Sequence, residues 1–189
     1  MEVKYGMIII ARYNENLDWV NNLKHPYIII NKGDEISFPS IKIDNVARES
    51  YSYLYYIVNN YDNLDDYLVF LQGNPFDHSP NALGKIEGYF NNGQSNFYTL
   101  SDRIVEFTLN GCQYHPGLPL IESYNLIFND TMDNDKIITF GAGAQFIVPK
   151  ENILKHPKDF YVKLFSLVEK DSILEWVCER FWGLIFNEI

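Results

Sequence analysis

Three short apolar runs, each cut off by a polar cluster, constrain this chain more than anything else in its sequence. Met7-Ile8-Ile9-Ile10-Ala11 ends in Arg12, Asn14 and Glu15; Tyr27-Ile28-Ile29-Ile30 ends in Asn31-Lys32-Gly33; Leu68-Val69-Phe70-Leu71 ends in Gln72-Gly73-Asn74-Pro75. Short continuous apolar runs suit strands covered on both faces, where every side chain meets an apolar layer whichever way it points. Between them lie a short amphipathic stretch, Leu17 to Leu23, and a helix capped by Asp44 or Asn45 with Tyr51, Leu54, Tyr55 and Val58 in one stripe. This β-α-β grammar predicts an α/β fold with a mostly parallel central sheet flanked by helices. Ligands of such open sheets bind outside the carboxyl ends of the strands, which is where the polar clusters fall.

Further along, Gly88, Gly93, Gly111, Pro116 and Pro119 interrupt residues 84–135, and no element is assigned there. Ile137-Ile138-Thr139-Phe140 leads into Gly141-Ala142-Gly143-Ala144-Gln145, and a strand resumes at Phe146-Ile147-Val148 until Pro149. Two helices are expected to close the chain. One spans about 158–169 with Phe160, Leu164, Leu167 and Val168 inward, the other about 173–186 with Leu174, Val177, Phe181 and Ile185 inward. Without a linker or composition shift, the 189 residues read as one domain.

No apolar run approaches the roughly 20 residues of a spanning helix, and the opening MEVKYG lacks the features of a secretory signal. A soluble, cytoplasmic chain is expected, without a transmembrane segment. A net charge of −10 and scattered basic residues argue against nucleic acid as a partner. A nucleotide held by backbone donors and a metal stays open. Cys112 and Cys178 lie apart, without a CxxC pairing, and read as buried free thiols. The abundant tyrosines read as an exposed surface for a partner or a carbohydrate, or as codon bias alone.

Several clusters can carry chemistry. Arg12-Tyr13-Asn14-Glu15 emerges from the first strand, where an arginine can meet phosphate and an asparagine can read a base; the plain alternative is a surface ion pair between Arg12 and Glu15. Gln72-Gly73-Asn74-Pro75-Phe76-Asp77-His78 is a stiff loop with a carboxylate beside an imidazole. Asp77 and His78 are either ligands for Mg²⁺ or Mn²⁺ held together with a diphosphate, or a helix cap and its neighbour. Gly141 to Phe146 enters a strand rather than a helix, so it is no dinucleotide fingerprint; its small residues admit either a ligand or close packing. Glu175, Glu179 and Trp182 share a helix face that suits sugar binding and general-base work, or simple exposure. Arg48 near a helix start suits an anion.

Taken in order, IIIARYNENLDW, NKG, VARESYSYLYYIVNNYDNL, VFLQGNPFDHSP, GAGAQFIVPKENILKHPKDFY and ERFWGLIF resemble the domain of unknown function 3431 family over nearly the whole chain. The layout resembles a compact GT-A glycosyltransferase, a Rossmann-related fold, and is similar to the first domain of a chlorella virus capsid glycosyltransferase. The resemblance implies a nucleotide-sugar donor held by Arg12, Tyr13, Asn14, Glu15, Lys32, Arg48 and Gln72, with Mn²⁺ or Mg²⁺ at Asp77 and His78. It also implies a glycan or glycoprotein acceptor at Gly143, Ala144, Gln145 and Trp182. Glu179 is the expected base, with Asp77 the second catalytic residue. GT-A enzymes carry an Asp-any-Asp metal motif, whereas Pro75-Phe76-Asp77-His78 supplies one aspartate. That departure keeps two other readings in view: a non-catalytic glycan- or nucleotide-binding module, and a metal-dependent sugar-nucleotide hydrolase using Asp77, His78 and Glu15.

Overall fold

The structure, a computed structural model, describes residues 6–187; the first five residues of the MEVKYG opening lie outside it. In chain order its strands are β1 (Met7–Arg12), β2 (Tyr27–Asn31), β3 (Ser40–Lys42), β4 (Tyr67–Gln72), β5 (Tyr98–Thr99), β6 (Ile104–Phe107), β7 (Ile138–Gly141) and β8 (Phe146–Pro149). Its helices are α1 (Arg48–Asn60), α2 (Ala82–Asn91), α3 (Leu120–Phe128), α4 (Lys150–Ile153), α5 (Lys158–Lys170) and α6 (Ile173–Phe186). Six strands form one sheet in the order β3-β2-β1-β4-β8-β5, and β6 and β7 form a separate antiparallel ribbon. Strands β1 to β4 run parallel, and β8 lies antiparallel between β4 and β5. The expected α/β architecture, a mostly parallel sheet flanked by helices, is present.

The continuous apolar runs are explained by cover on both faces. From β1, Ile9 joins Phe70, Tyr53, Leu54 and Ile57 in the core under α1, α5 and α6, while Ile8 and Ile10 join Val69, Leu71, Ile86 and Tyr89 in the core under α2. Each such isoleucine contributes roughly 1.5–3 kcal/mol by leaving water. Phe146, at the start of β8, ties the first core to α6 through rings 5.6 Å from Trp182 and 5.5 Å from Phe186.

Several expectations need correcting. Helix α1 takes no cap from Asp44 or Asn45; it begins after Ala47 in the left-handed region (φ 44°), with no side-chain cap. Its cover is wider than one stripe: Tyr53, Tyr56 and Ile57 are buried, while Tyr55 and Val58 are only half-buried, because the sheet lies on one side and α5 and α6 on the other. In α5, Tyr161 is buried, and Phe160 and Leu167 sit at the margin. Residues 84–135, which carry no clear periodicity, hold most of α2 together with β5, β6 and α3. The tyrosines form no general exposed surface: Tyr53, Tyr89, Tyr124 and Tyr161 are fully buried core residues. Cys112 and Cys178 are buried free thiols, as expected. Among the described residues no helix is long and apolar enough to cross a membrane.

Candidate functional site

Topology explains why distant motifs meet. Parallel pairing sets Arg12 beside Asn31 and Ala11 beside Gln72, so the exits of β1, β2 and β4 share one edge. Strand β8 runs the other way and pairs Phe146 with Phe70, which delivers the preceding Gly141 to Gln145 turn to that same edge. A cleft of about 480 Å³ opens there. It is lined by Arg12 at the end of β1 with Tyr13 and Glu15 just after it, Lys32 just after β2, Gln72 at the end of β4 with Asn74, Asp77 and His78 in the turn beyond, Asn45 before α1, and Arg48, Glu49 and Ser52 at its start. That size falls within the range of small-ligand sites.

Two of the expected phosphate cations brace the rim. Arg12 is buried and donates to the carbonyls of Glu15 (3.1 Å), Tyr13 (2.9 Å) and Asp34 (3.2 Å) and to Asn31 Oδ1 (2.9 Å), locking the loops after β1 and β2 together. Gly33 is required by this closeness, since a Cβ there would lie 1.5 Å from the Tyr13 carbonyl oxygen. Lys32 Nζ donates to the carbonyls of Val46 and Arg48 and lies 5.4 Å from the Tyr51 ring centroid. It thereby holds the turn in which both Ala47 and Arg48 adopt left-handed backbone. Burial lowers the Lys32 pKa to about 8, against the pull of Glu49 and Glu175. Arg48 is the open cation: its side chain is 49% exposed and its guanidinium sits 4.4 Å from the Trp176 ring centroid.

On the far wall, Glu15 Oε2 accepts the Tyr13 N–H (2.7 Å), and a Cβ on Gly73 would collide with that carboxylate. Asp77 is exposed and His78 half-buried at the end of a tight turn over Pro75–Asp77. The helix-cap alternative for Asp77 fails: α2 begins at Ala82, with Asn81 in the cap position and no capping side chain. Gly143 packs against His78, so that a Cβ would lie 2.5 Å from the ring, and its φ of 88° favours glycine independently. Gln145 is fully buried and donates to the Pro75 carbonyl (3.0 Å), bracing the Asp77 turn from behind.

Beneath the cleft lies a charged layer. Glu179 Oε1 accepts the Gly143 N–H (2.7 Å) and its Oε2 pairs with Arg180 Nη1 (2.6 Å). Arg180, almost wholly buried, also meets His115 Nδ1 (2.6 Å), and His115 stacks 4.3 Å from Trp176. Arginine has only donors, so His115 Nδ1 is the acceptor of that bond. Burial raises the Glu175 carboxyl, while Arg48 and Lys32 lower it. Glu49 stands between this layer and the cleft. Its side chain is 10% exposed, and Arg48 Nε lies 3.7 Å away. Burial raises its pKa, its own N–H, Arg48 and Gln72 oppose the rise, and Glu179 adds to it.

A sequence profile described as protein of unknown function (DUF3431) matches residues 7–90 and 112–189. The chain belongs to that family. No curated protein and no solved structure matches it. In this DUF3431 member the sequence reading of the donor side is largely gathered in one place, since Arg12, Tyr13, Glu15, Lys32, Arg48, Gln72, Asp77 and His78 all line the cleft. Asn14 does not; its Oδ1 accepts the Asp34 N–H (2.9 Å). Nor do the residues expected for the acceptor. Gly143, Ala144 and Gln145 are packed behind the cleft, and Trp182 borders a separate, aromatic-lined cavity of about 270 Å³ with Phe97, Phe140 and Phe146. Glu179, the expected base, lies behind the wall with both carboxylate oxygens engaged. Sequence reasoning missed Glu49, Ser52 and Asn45 as cleft residues; the only signal was their closeness in sequence to Arg48.

Proposed function

We propose that this chain is a glycosyltransferase that moves a sugar from a nucleotide-sugar donor to a hydroxyl of a glycan or protein acceptor, on a GT-A-like framework. The observation that carries this reading is the convergence of Arg48, Lys32, Asp77 and His78 on one cleft at the carboxyl edge of the parallel strands, the place where this sheet class binds phosphorylated ligands. In this reading Arg48 meets the diphosphate directly, while Lys32 adds positive potential and holds the turn that presents Arg48. Gln72 and Asn74 offer amides for the base or sugar, and Tyr13, half exposed at the rim, offers a ring face.

Among the described residues there is no group of three acids, histidines or cysteines able to hold a metal ion. Asp77 and His78 therefore fit Mn²⁺ or Mg²⁺ only as an ion that shares its shell with the diphosphate oxygens. When bound, that ion would neutralise the leaving diphosphate. A second reading, binding without turnover, draws support from Arg12 and Lys32, which donate to loop carbonyls.

A thermal-shift screen of UDP-, GDP-, dTDP- and CMP-sugars with and without Mn²⁺ tests the proposal, because a ligand of the native state raises stability by RT ln(1 + [L]/Kd). One donor is expected to raise Tm, with the shift lost in Arg48→Ala and its metal-dependent part lost in Asp77→Ala. Nucleotide release from the same donor is expected alongside. A shift without release selects the binding module, and no shift with any donor contradicts both readings.

A further inference from the structure

Three carboxylates line the cleft: Glu15, Glu49 and Asp77. Glu15 is held by the Tyr13 N–H, and Asp77 stands exposed beside His78. Glu49 differs from both. It is nine-tenths buried, and its nearest cation is at 3.7 Å. A poorly paired carboxylate kept out of water opposes folding, and such groups concentrate at sites where their chemistry is used. A second observation sits one turn along the same helix face: Ser52 also lines the cleft, fully buried, and its hydroxyl has no hydrogen-bond partner among the described residues.

We propose that Glu49, rather than Glu179, is the group that takes the proton from the attacking hydroxyl, with Ser52 Oγ available to the same substrate. This rests on the transferase reading above. The acceptor O–H proton passes to a Glu49 carboxylate oxygen as the acceptor oxygen bonds to the anomeric carbon. The bond from that carbon to the diphosphate oxygen breaks, and its electron pair leaves with the nucleoside diphosphate. Glu179 then acts at one remove, through its charge and through the turn it holds at Gly143.

The groups facing Glu49 set its titration: Arg48 and Tyr53 on its own helix, Lys32 at the end of β2, Gln72 at the end of β4, and Cys178 and Glu179 from α6. Burial is the largest influence and holds the carboxyl above its ordinary range. A base with such a shift is active nearer neutral pH than an ordinary carboxylate.

The decisive comparison is wild type against Glu49→Gln and Glu179→Gln, using the sugar nucleotide that wild type turns over best and a panel of nitrophenyl glycosides as acceptors. Donor affinity is measured by calorimetry and folding by thermal unfolding. Glu49→Gln is expected to keep donor affinity within about twofold and to lose about 10²- to 10⁴-fold in kcat, the usual contribution of a general base. It should also lose the acid limb of the rate profile that wild type shows. Glu179→Gln is expected to keep that limb. A folded Glu49→Gln protein with wild-type kcat, or one whose loss is all in donor affinity, overturns the assignment while leaving the transferase reading standing. A wild-type chain that turns over no donor overturns the reading and the assignment together.

Discussion

At Glu49 the fold accepts a carboxylate that it binds better protonated than ionised, and this has a consequence for stability. The folded chain retains a proton there that the unfolded chain releases around the ordinary value of 4.5. The contribution of Glu49 to stability therefore declines as pH rises from that value through the raised one, and stays lowered above it. Glu49→Gln removes the decline. Urea unfolding is expected to show the variant close to wild type at acid pH and more stable at pH 7; a variant less stable at pH 7 would mean that the ionised carboxylate supports the fold. This residue was not legible in the sequence, where it reads as an ordinary acid in a first helical turn. What sets it apart is its burial between the cleft and the charged layer of α6, which has no local signature. Arg12, Lys32 and Arg48 were legible as cleft residues because each follows a strand or opens a helix. That Arg12 and Lys32 brace loop carbonyls depends on how close those loops approach, which only Gly33 hints at.

At the scale of elements, the cleft wall depends on α6 holding the Gly143 turn. Arg180, on that helix, neutralises Glu179, contacts His115 in the loop before α3, and lies 4.9 Å from the Phe140 ring centroid on β7. Arg180→Leu leaves Glu179 without its cation behind the wall, and removal of one partner of a buried pair costs about 3–5 kcal/mol. Equilibrium unfolding is expected to show a loss of that order, with much of it recovered in the Arg180→Leu/Glu179→Leu double variant, because two apolar residues leave no unpaired charge. If the single variant is as stable as wild type, the pair does not hold the wall. The helices themselves were largely legible: apolar spacing marks α5 and α6 even where individual inward residues shift by a position. The 84–135 segment was not, because β5 and β6 are too short for a period to show and α3 follows two prolines.

For the whole molecule, the parallel strands place three polar exits along one edge, and the single antiparallel strand β8 adds the Gly141 to Gln145 turn to it. The exits were readable because apolar runs stop where strands stop. The antiparallel course of β8 was not, since a four-residue strand carries no mark of its direction; nor was the packing of Gly143 on His78 and of Gln145 on the Pro75 carbonyl, which sets that turn behind the cleft. The most direct measurement of the central claim is hydrogen exchange with and without saturating UDP-, GDP-, dTDP- or CMP-sugar, read segment by segment. Slowed exchange at residues 11–15, 46–52 and 72–78 is the expected result. Protection confined to the aromatic-lined cavity around Phe97, Phe140 and Trp182, or no protection by any of the four, would contradict a nucleotide-sugar site at the carboxyl edge of the sheet.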